Sequence, residues 1–180
     1  DEAMRFRPLR TTTGALPVLE EPPALPEQMR AAIVAAPGPD ASLELADVPV
    51  PAPVLSEVLV RVVAAGVNPI DSKTRRGAGA AAALPETPIP LGFDFSGVVV
   101  RTPYETHPFP VGTAVYGMAA FPRTGGSYAE YVVAPSLSLA VKPSSLSHVE
   151  AAGVPLAALT AWGLVVETAR AHEGQRILIH

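Results

Sequence analysis

Short apolar segments separated by glycine and proline fill the chain from residue 29 to residue 145. The clearest is 57–63, in which Val58, Val60 and Val62 share one face, as expected for a half-buried β-strand. The close spacing of these segments favours a mostly antiparallel β-barrel or sandwich over repeated βαβ units. The same pattern predicts further strands at 30–35, 43–48, 95–100, 111–118, 127–133 and 138–141.

A helical pattern begins at Ser147, which precedes Glu150 by three residues, the spacing of a capping box. Pro155 suits the first turn of a second helix, which we expect to run to about Ala169. A short apolar run at 176–179 is then typical of a buried parallel strand. Two helices and a strand after a β domain predict the start of an α/β domain.

The predicted organisation has three parts. Residues 1–28 contain five prolines and show neither a strand period nor a helix period, so we expect a Pro-rich N-terminal arm or linker. Residues 29–146 form the predicted β domain, and residues 147–180 form the start of the α/β domain. The alanine-rich stretch at 78–84 is expected to be a loop or a weak helical turn.

Composition narrows the function classes. Apolar residues make up 48% of the 180 residues, enough to bury a core, and the formal net charge of −4 comes without a basic cluster. We therefore expect no nucleic-acid partner.

The chain has no cysteine, which excludes disulfides, Cys-ligated zinc and a thiol nucleophile. The apolar run between Glu150 and Glu167 is shorter than the roughly 20 residues that cross a bilayer, so we expect a soluble, cytoplasmic protein without a membrane partner.

Five blocks of sequence carry a family resemblance, and they occur in the family's order. They are Gly-Val-Asn-Pro-Ile-Asp at 66–71, Leu-Gly-Phe-Asp-Phe-Ser-Gly-Val-Val at 91–99, Val-Gly-Thr-Ala-Val-Tyr-Gly at 111–117, Gly-Ser-Tyr-Ala-Glu-Tyr at 126–131, and Pro-Leu-Ala-Ala-Leu-Thr-Ala-Trp at 155–162. The sequence resembles the medium-chain dehydrogenase/reductase superfamily, specifically its zinc-independent quinone oxidoreductase and enone reductase branch. The resemblance implies a mainly β GroES-like barrel followed by the start of an α/β Rossmann domain, truncated before its glycine-rich loop.

The resemblance also implies that no zinc is bound. In zinc alcohol dehydrogenases of the superfamily, a cysteine ligand occupies the position of Asn68, a histidine ligand occupies that of Phe93, and the neighbouring glutamate is replaced here by Asp94. Amide and phenyl groups cannot replace thiolate and imidazole at a tetrahedral zinc. The implied cofactor is NADPH, with NADH left open as an alternative.

The resemblance gives catalytic roles to Asn68 and Lys73, and cofactor-binding roles to Asn68, Asp71 and Thr160. Without a Lewis acid, positioned donors such as the Asn68 amide and the Lys73 ammonium must stabilise charge that develops on the acceptor's oxygen. Each residue also has a structural alternative. Asn68 would form a turn, Lys73 would be a solvated loop lysine, and the Thr160 hydroxyl would bond back to its own helix. Asp71 would either orient Asn68 or cap the turn at 72–76.

Two further sets of residues are expected to be structural. Glycines at strand ends are predicted to take positive φ or to permit close backbone approach, at positions 66, 77, 92, 97, 112 and 117. Three tyrosines at strand spacing are predicted to pack in the barrel, and none is assigned catalysis: Tyr116, Tyr128 and Tyr131.

The resemblance implies an NADPH-dependent oxidoreductase that transfers hydride to a small-molecule quinone or α,β-unsaturated carbonyl. We expect the 180-residue chain by itself to be inactive, because the pyrophosphate-binding loop of the family lies beyond its last residue. A homodimer formed through the Rossmann domain is left open. The alternative is a non-enzymatic GroES-like binding or interaction module, since fold does not determine function. A GroES-type co-chaperonin explains neither residues 68–71 nor residues 147–180.

Overall fold

The computed structural model describes residues 24–84, 88–120 and 126–180. Most of the predicted arm, residues 1–23, therefore lies outside the described residues. Eight strands and three α-helices follow one another in the described part. The strands are β1 (Gln28–Val34), β2 (Glu44–Pro49), β3 (Glu57–Ala65), β4 (Ile89–Pro90), β5 (Asp94–Arg101), β6 (Ala114–Met118), β7 (Tyr131–Pro135) and β8 (Leu139–Val141). The helices are α1 (Pro69–Arg75), α2 (His148–Ala152) and α3 (Pro155–Trp162).

The strands form a curled, half-barrel arrangement of two antiparallel sheets. One sheet has the order β2-β1-β4, and the other has the order β7-β3-β5-β6-β8. An isolated bridge between Ala31 and Ala129 joins the first sheet to the segment before β7. The predicted mainly β, antiparallel fold is confirmed.

A valine-rich core covers one face of the larger sheet. Val58 and Val60 on β3 meet Phe95 and Val99 on β5, and all four are completely buried. The period-2 pattern recognised in the sequence is the reason, since alternate β3 side chains point to the same side. Glu57 and Leu59, on the opposite face of β3, are also buried, so this strand has both faces covered where it begins.

The helical region begins where the capping box predicts. The Ser147 hydroxyl accepts a hydrogen bond from the Glu150 main-chain N–H at 3.2 Å, and the Glu150 carboxylate accepts from the Ser147 N–H at 2.8 Å. Pro155 is the first residue of α3, as predicted. A π-helical segment, Gly163–Thr168, continues α3 almost to the predicted end at Ala169.

The predicted strand at 176–179 is wrong for this structure. These residues are exposed and form no strand, and no strand of the described sheets lies beside them. A strand is stabilised by hydrogen bonds to a neighbour, so an apolar run without one has no reason to adopt the conformation. The assignment of residues 147–180 to the start of a Rossmann domain stays a prediction.

Candidate active site

The candidate site begins at the end of β3, where the chain turns into α1. Asn68 is the N-cap residue of α1 and Pro69 is its first residue, where proline needs no N–H donor. The Asp71 carboxylate reaches back and accepts a hydrogen bond from the Asn68 main-chain N–H at 2.7 Å. The Asp71 main-chain N–H donates to the Asn68 carbonyl at 3.0 Å. Asp71 therefore completes a capping box at the start of α1 and fixes the backbone of Asn68. Its predicted roles, orienting Asn68 or capping the turn at 72–76, stay predictions.

Asp94, at the start of β5, is the centre of the site. Its side chain is 0% exposed and stands between Phe93 and Phe95, which are equally buried. The carboxylate accepts a hydrogen bond from Asn68 Nδ2 at 3.0 Å. The Leu156 main-chain N–H approaches its two oxygens at 3.1 and 3.2 Å. Asp94 thus connects the loop after β3 to the first turn of α3.

Tyr128 completes the network from the other side. Its hydroxyl donates to the same Asp71 oxygen that binds Asn68, at 3.0 Å. The ring lies against Gly92, which has φ +89° and where an added Cβ would come within 2.4 Å of the ring. Tyr128 was expected only to pack in the barrel; the structure also makes it a hydrogen-bond donor to Asp71.

Burial governs the electrostatics of this network. It raises the pKa of Asp71, against the opposing hydrogen bonds from Asn68 and Tyr128. Burial likewise raises the pKa of Asp94, with a smaller contribution from the charge of Asp71, and the hydrogen bonds from Asn68 and Leu156 oppose it. Burial is also the main cause that raises the pKa of Tyr128 above its ordinary range. Within the described part of the chain, Asp71 Oδ1 is buried without a hydrogen-bond partner. The network therefore holds two buried carboxylates joined through one residue, Asn68.

The other two predicted site residues lie outside this network. Lys73 is exposed on α1, and two residues along a helix place it away from the face that Asp71 occupies. Thr160 is exposed on α3, four residues after Leu156 and so on the same side of the helix. Their roles stay predictions.

The sequence reasoning missed Asp94 as a site residue. It noted this position only as a departure from the zinc enzymes of the family. The available signal was a lone carboxylate between two phenylalanines in an otherwise apolar strand. A carboxylate in such a position must be hydrogen-bonded or paired, which marks it as part of a polar network.

Two mostly apolar concavities could take a ligand, and one of them borders the network. One, of about 210 Å³, has walls of Leu43, Val67 and Leu91 and is bordered by Asp71 and Tyr128. The other, of about 270 Å³, lies between α3 and the β6–β8 edge of the sheet, and its lining includes Tyr116, Leu139, Pro155, Ala158 and Leu159. Both are mostly apolar next to a few polar groups, which is typical of small-molecule sites.

Two features that would indicate other functions, a membrane-spanning helix and a metal-binding cluster, concern residues 24–84, 88–120 and 126–180. No helix in these ranges is long and apolar enough to span a membrane. No three histidine, aspartate or glutamate side chains in these ranges converge as a metal-binding group. His107, which is buried, bonds to Ser136 Oγ at 2.7 Å and accepts from the Phe109 N–H at 3.1 Å, so its contacts are structural.

Comparisons with known proteins agree with this fold. The sequence pattern of the alcohol dehydrogenase GroES-like domain matches residues 55–144. Human mitochondrial NAD(P)H oxidoreductase RTN4IP1 is 36% identical over 140 residues, which cover 69% of this chain and 35% of that protein. The chloroplastic NADPH-dependent alkenal/one oxidoreductase of Arabidopsis thaliana is 35% identical over 144 residues, covering 77% of this chain and 37% of that protein. The quinone oxidoreductase structure from Coxiella burnetii superposes with a TM-score of 0.74 and 36% identity, over 82% of this chain and 47% of that chain.

The family match takes in half of the chain, including β3, α1, β5 and the Asn68–Asp94 contact. The chain belongs to the alcohol dehydrogenase GroES-like domain family, and through it to the medium-chain dehydrogenase/reductase superfamily. These two relatives are named as an NAD(P)H oxidoreductase and an NADPH-dependent oxidoreductase. The chain spans about a third of the length of these curated relatives and about half of the solved structure.

Proposed function

We propose that this chain contributes the GroES-like part of a zinc-independent, NADPH-dependent oxidoreductase that transfers hydride to a quinone or an α,β-unsaturated carbonyl. The observation that carries the proposal is the hydrogen bonding of the Asn68 side-chain amide. One Nδ2 hydrogen is held by the buried Asp94 carboxylate, and the amide group carries a second. That second hydrogen is a fixed donor of the kind that stabilises charge developing on an acceptor oxygen.

The residues of the site fit the nicotinamide end of the cofactor. When bound, NADPH supplies the hydride. A carboxamide oxygen or an acceptor carbonyl is a suitable partner for the second Asn68 hydrogen. Thr160, on the helix that Asp94 holds at Leu156, is proposed as a further cofactor contact, and Lys73 as a second donor whose flexible side chain extends from α1. Asp71 is only 3% exposed, so its proposed contribution is to hold Asn68 and not to touch the cofactor.

The same residues fit zinc poorly, which supports the zinc-independent assignment. The carboxylate of Asp94 already accepts from Asn68 Nδ2 and the Leu156 N–H, and its neighbour Phe93 offers no side-chain ligand. A catalytic tetrahedral zinc needs three protein ligands of the thiolate, imidazole or carboxylate type, with water or substrate in the fourth position. The cytoplasmic location stays a prediction, and the names of the relatives include mitochondrial and chloroplastic proteins.

The substrate proposal rests on relatives and on the apolar lining of the concavities. The Arabidopsis relative is named for alkenals and alkenones, and the Coxiella structure for quinones. Flat conjugated carbonyls of both classes match a mostly apolar space beside a few donors. No specific contact in the described residues favours the alternative of a non-enzymatic interaction module. The buried hydrogen-bond network converges instead on one side-chain amide, as a site for a small molecule would.

The test is turnover by the purified full-length gene product. NADPH oxidation is followed with a quinone, with an enone and with a simple ketone, before and after dialysis against a zinc chelator. We expect turnover with the quinone or the enone, unchanged by the chelator, and substoichiometric zinc by elemental analysis. Stoichiometric zinc, or activity only with the ketone and lost to the chelator, would reject the assignment. Absence of turnover with all acceptors would favour the interaction module.

A further inference from the structure

We propose that Asp94 is a positioning residue that sets which way the Asn68 amide faces and ties that orientation to α3. The effect of Asp94 on catalysis rests on the proposed function, whereas its effect on the orientation of Asn68 and on α3 does not. The inference starts from three contacts of one buried residue, two made by its carboxylate and one by its main-chain carbonyl. Asp94 accepts from Asn68 Nδ2 at 3.0 Å and from the Leu156 N–H at 3.1 Å, and its main-chain carbonyl accepts from the Gly66 N–H at 2.9 Å.

The first step concerns the two ends of the Asn68 amide. Nδ2 and Oδ1 are nearly equal in size, so packing alone distinguishes them poorly, yet one donates and the other accepts. An ionised carboxylate is an acceptor only, so it binds Nδ2 and disfavours the flipped amide, in which two oxygens would face each other. With Nδ2 directed at Asp94, the second Nδ2 hydrogen also has a fixed direction.

The second step concerns α3. Its N-cap residue is Val154, whose side chain has no oxygen with which to cap the helix. Asp94 supplies the missing acceptor from β5, because Leu156 is the second residue of α3 and its N–H is one of the four that lack an intrahelical partner. A negative charge is also favoured at this end of a helix. The same carboxylate therefore caps α3 and orients Asn68.

The third step is the coupling that this arrangement creates. The helix that carries Thr160 and the amide of Asn68 share one rigid anchor, so neither can shift without disturbing the other. Gly66 makes room for the anchor, since a Cβ at this position would lie 2.8 Å from Asp94 Cβ and 2.3 Å from the Ala152 carbonyl oxygen. If Asn68 and α3 contact the same nicotinamide, their positions relative to each other depend on Asp94.

Asp94→Leu tests the orientation, because leucine is close to aspartate in shape but has no acceptor for Asn68 Nδ2 or for the Leu156 N–H. Asp94→Asn is the conservative variant. Asp94 Oδ2 accepts both from Asn68 Nδ2 at 3.0 Å and from the Leu156 N–H at 3.1 Å, so an amide oxygen at this place keeps both hydrogen bonds. Ser96→Ala is the matched control, because Ser96 is buried on the same strand and bonds to the Val115 carbonyl and His148.

The first experiment does not need activity. Asn68 is the only asparagine of the chain, so labelling with ¹⁵N-asparagine gives a single side-chain NH₂ group in the NMR spectrum. In the wild-type chain and in Ser96→Ala we expect one of its two protons to exchange with solvent at least about 10-fold more slowly than the other, since a buried hydrogen bond protects it. The Leu156 amide should be protected as well. In Asp94→Leu, in which Asn68 is still the only asparagine, both the asymmetry of the Asn68 protons and the protection of Leu156 are lost; in Asp94→Asn the Leu156 amide stays protected.

The second experiment uses the full-length gene product and separates binding from hydride transfer. Asp94→Leu should lower the single-turnover rate about 10–100-fold, the effect of a misplaced reacting group, with the Kd for NADPH within about 3-fold of wild type. Asp94→Asn should keep the wild-type rate, since its amide oxygen still accepts from Asn68 Nδ2. Equal protection of the Asn68 protons in wild type and Asp94→Leu, or a rate for Asp94→Leu equal to that of Ser96→Ala, would overturn the proposal. If the wild type reduces no acceptor, the proposed function fails, and the exchange data still decide the orientation.

Discussion

The side-chain amide of Asn68 donates to the carboxylate of Asp94 at 3.0 Å, across 26 residues of sequence. This contact joins the loop that follows β3 to the first residue of β5. Asp71 holds the backbone of Asn68 from one side while Asp94 holds its side chain from the other. A residue fixed at both places is preorganised, and preorganised donors lower a barrier more than mobile ones.

Replacement of Gly66 by alanine should disturb the site by displacing its supports. The added Cβ would lie 2.3 Å from the Ala152 carbonyl oxygen, which is backbone and cannot move aside cheaply. We expect a loss of about 1–3 kcal/mol in the free energy of unfolding, measured by denaturant titration of the chain. The matched control is Gly163→Ala, at a helical position with nothing within 4 Å of the added Cβ. It should be neutral or slightly stabilising, and an equal loss in both variants would contradict the packing argument.

Stability should fall with rising pH because of Asp71. Burial raises its pKa in the folded state above the ordinary 3.8, so folding favours the protonated form. The contribution to stability is complete below the unfolded pKa and is lost as the pH rises through the folded pKa. Relative to Asp71→Asn, which cannot titrate, the wild type should therefore lose Tm as the pH rises above the ordinary 3.8 and through the raised pKa of the folded state.

The measurement is the Tm of both proteins across this range, with Asp40→Asn as the control for net charge because Asp40 is exposed. A difference in Tm between wild type and Asp71→Asn that stays constant with pH would show that burial does not perturb this carboxyl.

Tyr128→Phe should destabilise the folded chain through Asp71. The variant removes a hydroxyl that donates at 3.0 Å to a buried carboxylate, and the loss of one such partner costs about 1–3 kcal/mol. Because that hydrogen bond lowers the pKa of Asp71, its removal should also raise this pKa further and steepen the pH dependence. Denaturant titrations near neutral pH measure the first effect. Tyr131→Phe, on β7 and outside the network, is the control, and equal effects of the two variants would argue against a specific role for Tyr128.

Ser147→Ala should weaken the start of α2. The Ser147 hydroxyl accepts from the Glu150 N–H, and loss of such an N-cap costs about 1 kcal/mol. The Ser147 main-chain N–H and hydroxyl lower the pKa of Glu150, so this part of the stability is present above the ordinary 4.5 and is lost as the pH falls. Thermal unfolding at neutral and acidic pH measures both effects, with the exposed Ser145→Ala as control. A larger effect of Ser147→Ala at acidic than at neutral pH would contradict the cap.

The sequence predicted the strands well where the pattern is local. Alternating valines located β3, and the Ser147–Glu150 spacing located the start of α2 to the residue. Strand ends were less accurate. The predicted strand at 111–118 begins only at Ala114, because Gly112 takes φ +91° in the preceding turn. The apolar run at 176–179 failed because a strand also requires a neighbour, which local pattern does not reveal.

The site was predicted in part. Asn68 and Asp71 were identified from a four-residue motif, and the structure places them in direct contact. Asp94 and Tyr128 lie 26 and 57 residues away from their partners, so only the fold brings them together. A tyrosine in a strand gives the same sequence pattern whether or not its hydroxyl forms a hydrogen bond. Long-range polar pairing is therefore the information that the one-dimensional pattern lacked.

The most direct test of the central claim is single-turnover hydride transfer from NADPH to an enone by the full-length gene product, compared between wild type and Asn68→Ala. If Asn68 is the donor that stabilises charge on the acceptor, the rate should fall about 10²–10³-fold, as for loss of one oxyanion donor elsewhere. The Kd for NADPH should change much less, and Ser96→Ala should match the wild type in both quantities. An Asn68→Ala variant that transfers hydride at the wild-type rate would contradict the claim and return Asn68 to a role in forming the turn before α1.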